Sequence, residues 1–279
     1  MDTIEHEQLP QIEWILEHDG KTPEGVDAFQ FFLEILPLLG ATDGLLRERK
    51  VLPVLYTWII RGSVTDENAR DLMRVVADQD HLFLGIGTVG EDTVYMRAFA
   101  AYLLSAFVRR HRETDLFAPQ ALRHLVDVSI RYLDEERDLR GYVSPETMWA
   151  HGVAHIADTV GELARCIELR PRELERMLNA LGRALTTEAG VFIHEEDSRA
   201  AGAAIAILTR GLLSAAQIRA WLDRLVPAAR YDGVLPNVHY GYVNARNFLR
   251  CLYHQAVALE AEKPLIEGIQ SALAGLPKR

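Results

Sequence analysis

A chain of 279 residues, 49% of them hydrophobic, can bury a sizeable core, and its length allows one large or two small domains. Forty acidic residues against thirty basic ones give a net charge of −10, which disfavours nonspecific binding to nucleic acid or to an anionic membrane. The opening MDTIEHEQLP has neither a basic nor an apolar leader region, and no stretch is apolar enough to span a bilayer, so the expected setting is cytoplasmic.

Helical periodicity dominates. In 24–39, Phe29, Phe32, Leu33, Leu36 and Leu39 fall on one stripe, and in 44–61 Leu45, Val51, Leu52, Leu55, Trp58 and Ile59 do the same. Gly62 stops that helix, and Thr65-Asp66-Glu67 caps the next. The three glycines of 82–91 mark a loop. The stretch 93–108 is apolar nearly all round except for Arg97, as for a central helix packed on several sides. The run Arg109-Arg110-His111-Arg112, followed by Glu113 and Asp115, reads as a solvated helix end. Ser144-Pro145-Glu146 predicts a helix start, with Ser as cap and Pro in the first turn. Gly190 and Gly211 mark later helix ends, and Ser214 another cap. The small residues of 200–213 imply a closely approaching neighbour, and 228–239 is an irregular piece. Cys166 and Cys251 sit in apolar helical patterns, at spacings that suit buried reduced thiols rather than a zinc motif.

A recurrence organises these helices. Polar starts followed by Arg or His lie at Asp43/Arg47, Asp92/Arg97, Trp149/His151, Asp197/Arg199 and Asn244/Arg246, in steps of 50, 54, 48 and 47 residues. Such a period implies an all-α, HEAT-like solenoid: a right-handed, curved stack of five to six antiparallel helix pairs with no sheet. The expected division is an N-terminal helical cap over 1–30, one repeat domain over 31–262, and a C-terminal helix and tail over 263–279.

The densest polar group runs from Asp138 and Arg140 through Trp149, His151 and His155 to Asp158. On a helix starting near Pro145, His151, His155 and Asp158 would share one face beside Ala150, Gly152, Ala154 and Ala157. Three uses are open for this stripe. It can be a buried polar girdle, or a small-molecule or catalytic pocket with a neutral His oriented by Asp158. It can also be a metal site completed from Glu195, Glu196 or Asp197. The motif lacks a full metal signature, so no cofactor is expected. Glu91, Asp92 and Arg97, Glu196, Asp197 and Arg199, and Asp43 with Arg47 read as acid–arginine pairs linking repeats. Arg97 stands out because a charge in so apolar a helix must be paired. Asn237 to Asn247, rich in amides and tyrosines, either lines a groove end or satisfies a loop. No P-loop, nucleophile elbow, dinucleotide or kinase signature is present.

The segments GEDTVYMRAFAAYLL, ERDLRGY, MWAHGVAHIADTVGEL, EEDSRAA and NARNFLRCLYHQ, in this order over about 35–260, resemble a bacterial family known as domain of unknown function 2785. The resemblance implies an all-helical, HEAT-like protein. It brings no activity and supplies no catalytic residues. The positions it picks out are Glu91, Asp92, Arg97, Asp138, Arg140, Trp149, His151, His155, Asp158, Asp197, Arg199 and Asn247. The leading expectation is a pocket for a small polar molecule, with His151, His155 and Asp158 doing any chemistry. Arg97, Asp92, Arg140, Trp149, Glu196, Asp197, Arg199 and Asn247 would bind the ligand. The alternatives are a protein-interaction scaffold and a metal-dependent enzyme using His151, His155 and Asp158.

Overall fold

Residues 2–226 and 233–277 are described in a computed structural model, so residues 228–232 of the irregular stretch expected at 228–239 lie outside the described residues. The chain begins with α1 (Asp2–Glu17), α2 (Ala28–Ile35), a 3-10 turn (Leu36–Gly40) and a π-helical segment (Leu45–Val51). Next come α3 (Leu52–Arg61), α4 (Asp66–Val76), α5 (Thr93–Thr114) and α6 (Pro119–Glu135). A short hairpin, β1 (Tyr142–Ser144) and β2 (Met148–Trp149), precedes α7 (Gly152–Ala164) and α8 (Pro171–Ala184). The chain closes with α9 (Glu196–Leu208), α10 (Ala215–Leu225), α11 (Asn237–Ala258) and α12 (Lys263–Ala274).

Neighbouring helices pack in two rows. In one, α3 packs on α5, α5 on α7, α7 on α9 and α9 on α11; in the other, α6 packs on α8, α8 on α10 and α10 on α12. One contiguous apolar core runs from Ile12 to Ala272 through both rows. The small residues do what their size allows: a Cβ on Gly161 of α7 would already touch Ala203 of α9, at 3.6 Å. No helix among the described residues is long and apolar enough to cross a membrane.

Several local signals work as the sequence implies. Thr65 accepts from the Asn68 N–H and Ser214 from the Gln217 N–H, and Gly62 ends α3 in the left-handed region. Each cap is worth about 1 kcal/mol. Cys166 is buried and Cys251 half-buried, and both are free thiols.

Two local expectations fail. The run at the end of α5 is only half solvated, because Arg110 and His111 are buried. Arg110 donates to the Val64 carbonyl and to Asp66, tying α5 to the start of α4. The second failure matters more. Ser144-Pro145-Glu146 does not open a helix but turns the hairpin, so the chain is not free of sheet. The Ser144 hydroxyl accepts from the Glu146 and Thr147 N–H groups, the same bonds a helix cap would make. Contacts from the far end of the sequence then stop the helix. Glu146 O accepts from the Gly44 N–H (2.9 Å), and Arg47 of the π-helix donates to the Thr147 and Trp149 carbonyls. Glu48 accepts the Trp149 N–H at 2.9 Å. Helix α7 is therefore entered from His151, seven residues after the apparent cap Ser144, which re-aims both histidines.

Candidate functional site

Five elements converge beside the hairpin. Glu48, Arg49 and Leu52 from the π-helix and α3, Phe99 and Tyr102 from α5, Trp149, His151 and His155 around α7, and Arg199 of α9 enclose a cavity of about 260 Å³. A second hollow of about 330 Å³ adjoins it through Tyr102 and Arg199, and includes Tyr56, Arg109, Asp158 and Arg165.

His155 forms the cavity's inner wall. It is 7% exposed, packed at 5.0 Å between ring centres against both Phe99 and Tyr102. Its Nδ1 lies 3.1 Å from the Ala98 carbonyl. A carbonyl only accepts, so Nδ1 carries the proton and Nε2 presents a lone pair. That atom bonds to no described residue, yet it is not sealed away from solvent, so it opens to the cavity that the ring lines. Burial, reinforced by the Arg199 cation, holds His155 well below the usual histidine range, so the imidazole is neutral.

His151 is placed by backbone rather than by a helix face. It is the residue preceding α7, in the left-handed region at φ 62°. Met148 and Glu195, the latter preceding α9, also take this conformation (φ 55° and 69°), so three non-glycine residues around the site carry backbone strain of order 1 kcal/mol each. The His151 ring stacks on Trp149 at 4.4 Å and donates from Nε2 to the His194 carbonyl at 2.7 Å. Burial lowers its pKa despite that bond. Behind it sits Glu196, 2% exposed, its Oε2 accepting from the His194 N–H. Its Oε1 lies 3.5 Å from His151 Nε2 without a hydrogen bond, and burial raises its pKa. Gly141 lets these groups close up, since a Cβ there would stand 2.4 Å from the His194 ring and 2.7 Å from Glu196.

The remaining expected residues divide. Asp158 does not orient a histidine but forms a two-pronged ion pair with Arg199, linking α7 to α9. Arg97 is fully buried and bonds to Glu136 through Nε (2.6 Å) and Nη2 (3.0 Å) and to the Thr88 carbonyl, which fastens the 82–91 loop. Arg140 grips Asp138 and the Glu91 carbonyl in the same corner, and exposed Asp92 precedes α5 without capping it. Asp197 accepts from the Ser198 N–H and lies beside the Cys251 thiol, whose pKa it helps to raise, and Asn247 lies against Arg246. Neither Arg97, Asp92, Arg140, Asp197 nor Asn247 lines the two hollows. The acid–arginine ladder exists, but its acids come from elsewhere: Glu136 for Arg97, Asp158 for Arg199, and Glu48 for Arg47. The amide-rich segment sends Asn244 to the Thr187 and Gly190 carbonyls and the Phe192 N–H, which satisfies a loop.

Among the described residues, the metal-competent grouping is His111, Cys166 and Glu168, with ligand atoms within 4.8 Å of one another, and not His151, His155 and Asp158. Its chemistry argues against an ion. His111 Nδ1 accepts the Phe117 N–H at 3.0 Å, so Nε2 must keep its proton and has no lone pair to give. Burial pushes the Cys166 thiol up to about 12, far from the thiolate that a metal needs.

The family model for proteins of unknown function DUF2785 matches residues 82–254, more than half the chain. The chain belongs to this family. No curated protein and no solved structure matches it. In this DUF2785 protein, Phe99, Tyr102, Trp149, His151, His155 and Arg199 lie inside the matched segment, whereas Glu48, Arg49 and Leu52 lie before it. The cavity is thus built partly from chain outside the family match.

Proposed function

We propose that this protein binds a small polar molecule in the cavity between α3, α5, α7 and α9. His155 Nε2 accepts a hydrogen bond from the ligand or takes its proton. The observation that carries the reading is a neutral, nine-tenths buried imidazole with a fixed tautomer and a free lone pair facing open volume. Backbone strain at Met148, His151 and Glu195 supports it, since such strain gathers where a site is held in a set shape. Trp149, His151, His155 and Arg199 are the ligand-contacting residues of this proposal. Asp158 and Glu196 position Arg199 and His151.

The test is a thermal-shift and ligand-detected NMR screen of the full chain against a broad set of small polar compounds, repeated on His155→Asn. Asparagine retains a donor for the Ala98 carbonyl and deletes Nε2. Hits on the parent that vanish in the variant are expected. A screen whose hits ignore the substitution would refute the pocket.

A second use as an interaction scaffold is favoured by one observation. Leu45, Val89, Tyr142 and Ile193 are exposed by 60, 67, 41 and 74%, each in the segment leading into α3, α5, α7 or α9. We read the two packed rows as a HEAT-like, right-handed solenoid of helix pairs over 31–262, with 1–30 as cap and 263–279 as closing helix and tail, working in a bacterial cytoplasm. The pairwise order of packing along both rows supports this.

A further inference from the structure

The charges around the cavity are unequally spent, and this selects a class of ligand. Glu48, the acidic member of the lining, accepts the Trp149 N–H and is paired with buried Arg47 at 3.0 Å. Arg47 is itself held between the Tyr95 and Phe99 rings, at 4.3 and 4.9 Å. Arg199 spends one edge on Asp158. Both lining histidines are neutral. Arg49 differs from all of these: it is exposed at the cavity mouth and makes no hydrogen bond or ion pair with a described residue. A free guanidinium, a second partly paired one, an unanswered acceptor on the inner wall and flat walls of Trp149, Phe99 and Tyr102 therefore share one small volume.

We infer that the cavity takes a small organic anion, a carboxylate or phosphate monoester, that also carries a hydroxyl or N–H group. The anionic end forms a forked bond with Arg49 and meets the outer edge of Arg199, and the hydroxyl or N–H donates to His155 Nε2. This assignment rests on the pocket reading above and narrows it. The chemistry explains why the acceptor is a neutral histidine: an imidazolium could only donate, and would compete with Arg49 for the anion. It also explains a cationic mouth on a protein of net charge −10, whose overall field repels anions. The volume of about 260 Å³ sits near the lower end of small-ligand sites, so the ligand is compact unless it extends into the neighbouring hollow.

Trp149 supplies the readout. Trp58 and Trp221 are buried and Trp14 belongs to α1, so ligand entering the cavity alters the emission of Trp149. The full chain is titrated with three probe sets: lactate and malate, glycerol phosphate and glucose phosphate, and uncharged glycerol and glucose. Expected is saturable binding of at least one anionic set, weakened by added salt and by roughly tenfold in Arg49→Gln, with Arg49→Lys retaining part of it and the uncharged set silent. Binding confined to the carboxylates or to the phosphates names the source of the anion. If the uncharged probes bind as well, or Arg49→Gln binds the anions unchanged while His155→Asn does not, the anion assignment is overturned and the pocket stands. If no probe binds, the assignment is likewise overturned, and the pocket then stands or falls with the broader screen. Because Arg49 is exposed and unpaired, its substitution leaves the fold intact, so a loss of binding cannot be a loss of folding.

Discussion

Acidification tests the protonation state of His155 without any ligand. In the folded chain its pKa is held well below the ordinary value of 6.5 by burial. The unfolded chain regains the ordinary value, so below pH 6.5 the unfolded state binds a proton that the folded state refuses. Stability therefore falls as pH drops through 6.5, and goes on falling down to the depressed folded pKa. One pH unit below the unfolded value, the proton taken up on unfolding is worth about 1.4 kcal/mol. His151 acts in the same direction, while Glu196, whose pKa is raised by burial, gains protons in the fold and acts in the opposite one. Comparison with His155→Asn cancels both. The variant loses about 1–3 kcal/mol at neutral pH through the missing ring contacts with Phe99 and Tyr102, but its stability has a shallower pH dependence by about 1 kcal/mol over that unit. Urea unfolding followed by tryptophan fluorescence, at neutral pH and one unit below 6.5, measures both slopes. Equal slopes would mean that folded His155 accepts a proton, and the argument from tautomer and free lone pair would fail.

Other perturbations separate structural polar groups from the cavity. Arg97→Met strands the fully buried Glu136 carboxylate and should cost about 3–5 kcal/mol in urea unfolding, with the Arg97→Met/Glu136→Gln double variant recovering a large part. Recovery of nothing would show that the contacts of Arg97 with the 82–91 loop dominate. Gly141→Ala drives a methyl into the His194 ring and Glu196 and should lower stability by about 1–3 kcal/mol while shifting Trp149 fluorescence. An unchanged spectrum would separate the hairpin from the His151 corner. Chelator or added zinc should leave the melting temperature unmoved, since His111 has no free lone pair; near-stoichiometric metal in purified protein would overturn that tautomer. Native Cys166 and Cys251, with thiols pushed up to about 12 and 11, should resist alkylation at neutral pH, and rapid labelling by mass spectrometry would contradict their burial.

What could be read from residues alone follows how local the physics is. Helices α3, α4, α5 and α10 were legible because apolar spacing and caps act within one or two turns, as at Thr65, Gly62 and Ser214. Part of the cavity lining was legible too, since Trp149, His151, His155 and Arg199 are among the residues that the sequence singles out. Its geometry was not, because Ser144-Pro145-Glu146 makes the same local bonds in a turn as in a cap, and the choice is made by Arg47 and Glu48 about a hundred residues away. The identity of the acid in each arginine pair was hidden for the same reason, since Glu136 and Asp158 become partners only when neighbouring helices pack.

The missed residues share one property. Glu48 and Arg49 lie in a polar patch between two apolar stripes, Phe99 and Tyr102 in a helix that reads as core, and His194 in a loop. No spacing rule marks any of them. A cavity wall is assembled from whichever side chains the packing leaves beside an open volume, and here the π-helix decides it. That segment turns Arg47 inward to hold the hairpin and leaves its neighbour Arg49 outward at the mouth. The same few residues thus hold the hairpin that leads to His151 and place a cation on the cavity that His155 lines. Cutting the Arg47 bonds to the hairpin would therefore disturb the cavity wall and histidine placement together, whereas changing Arg49 alters the cavity mouth alone.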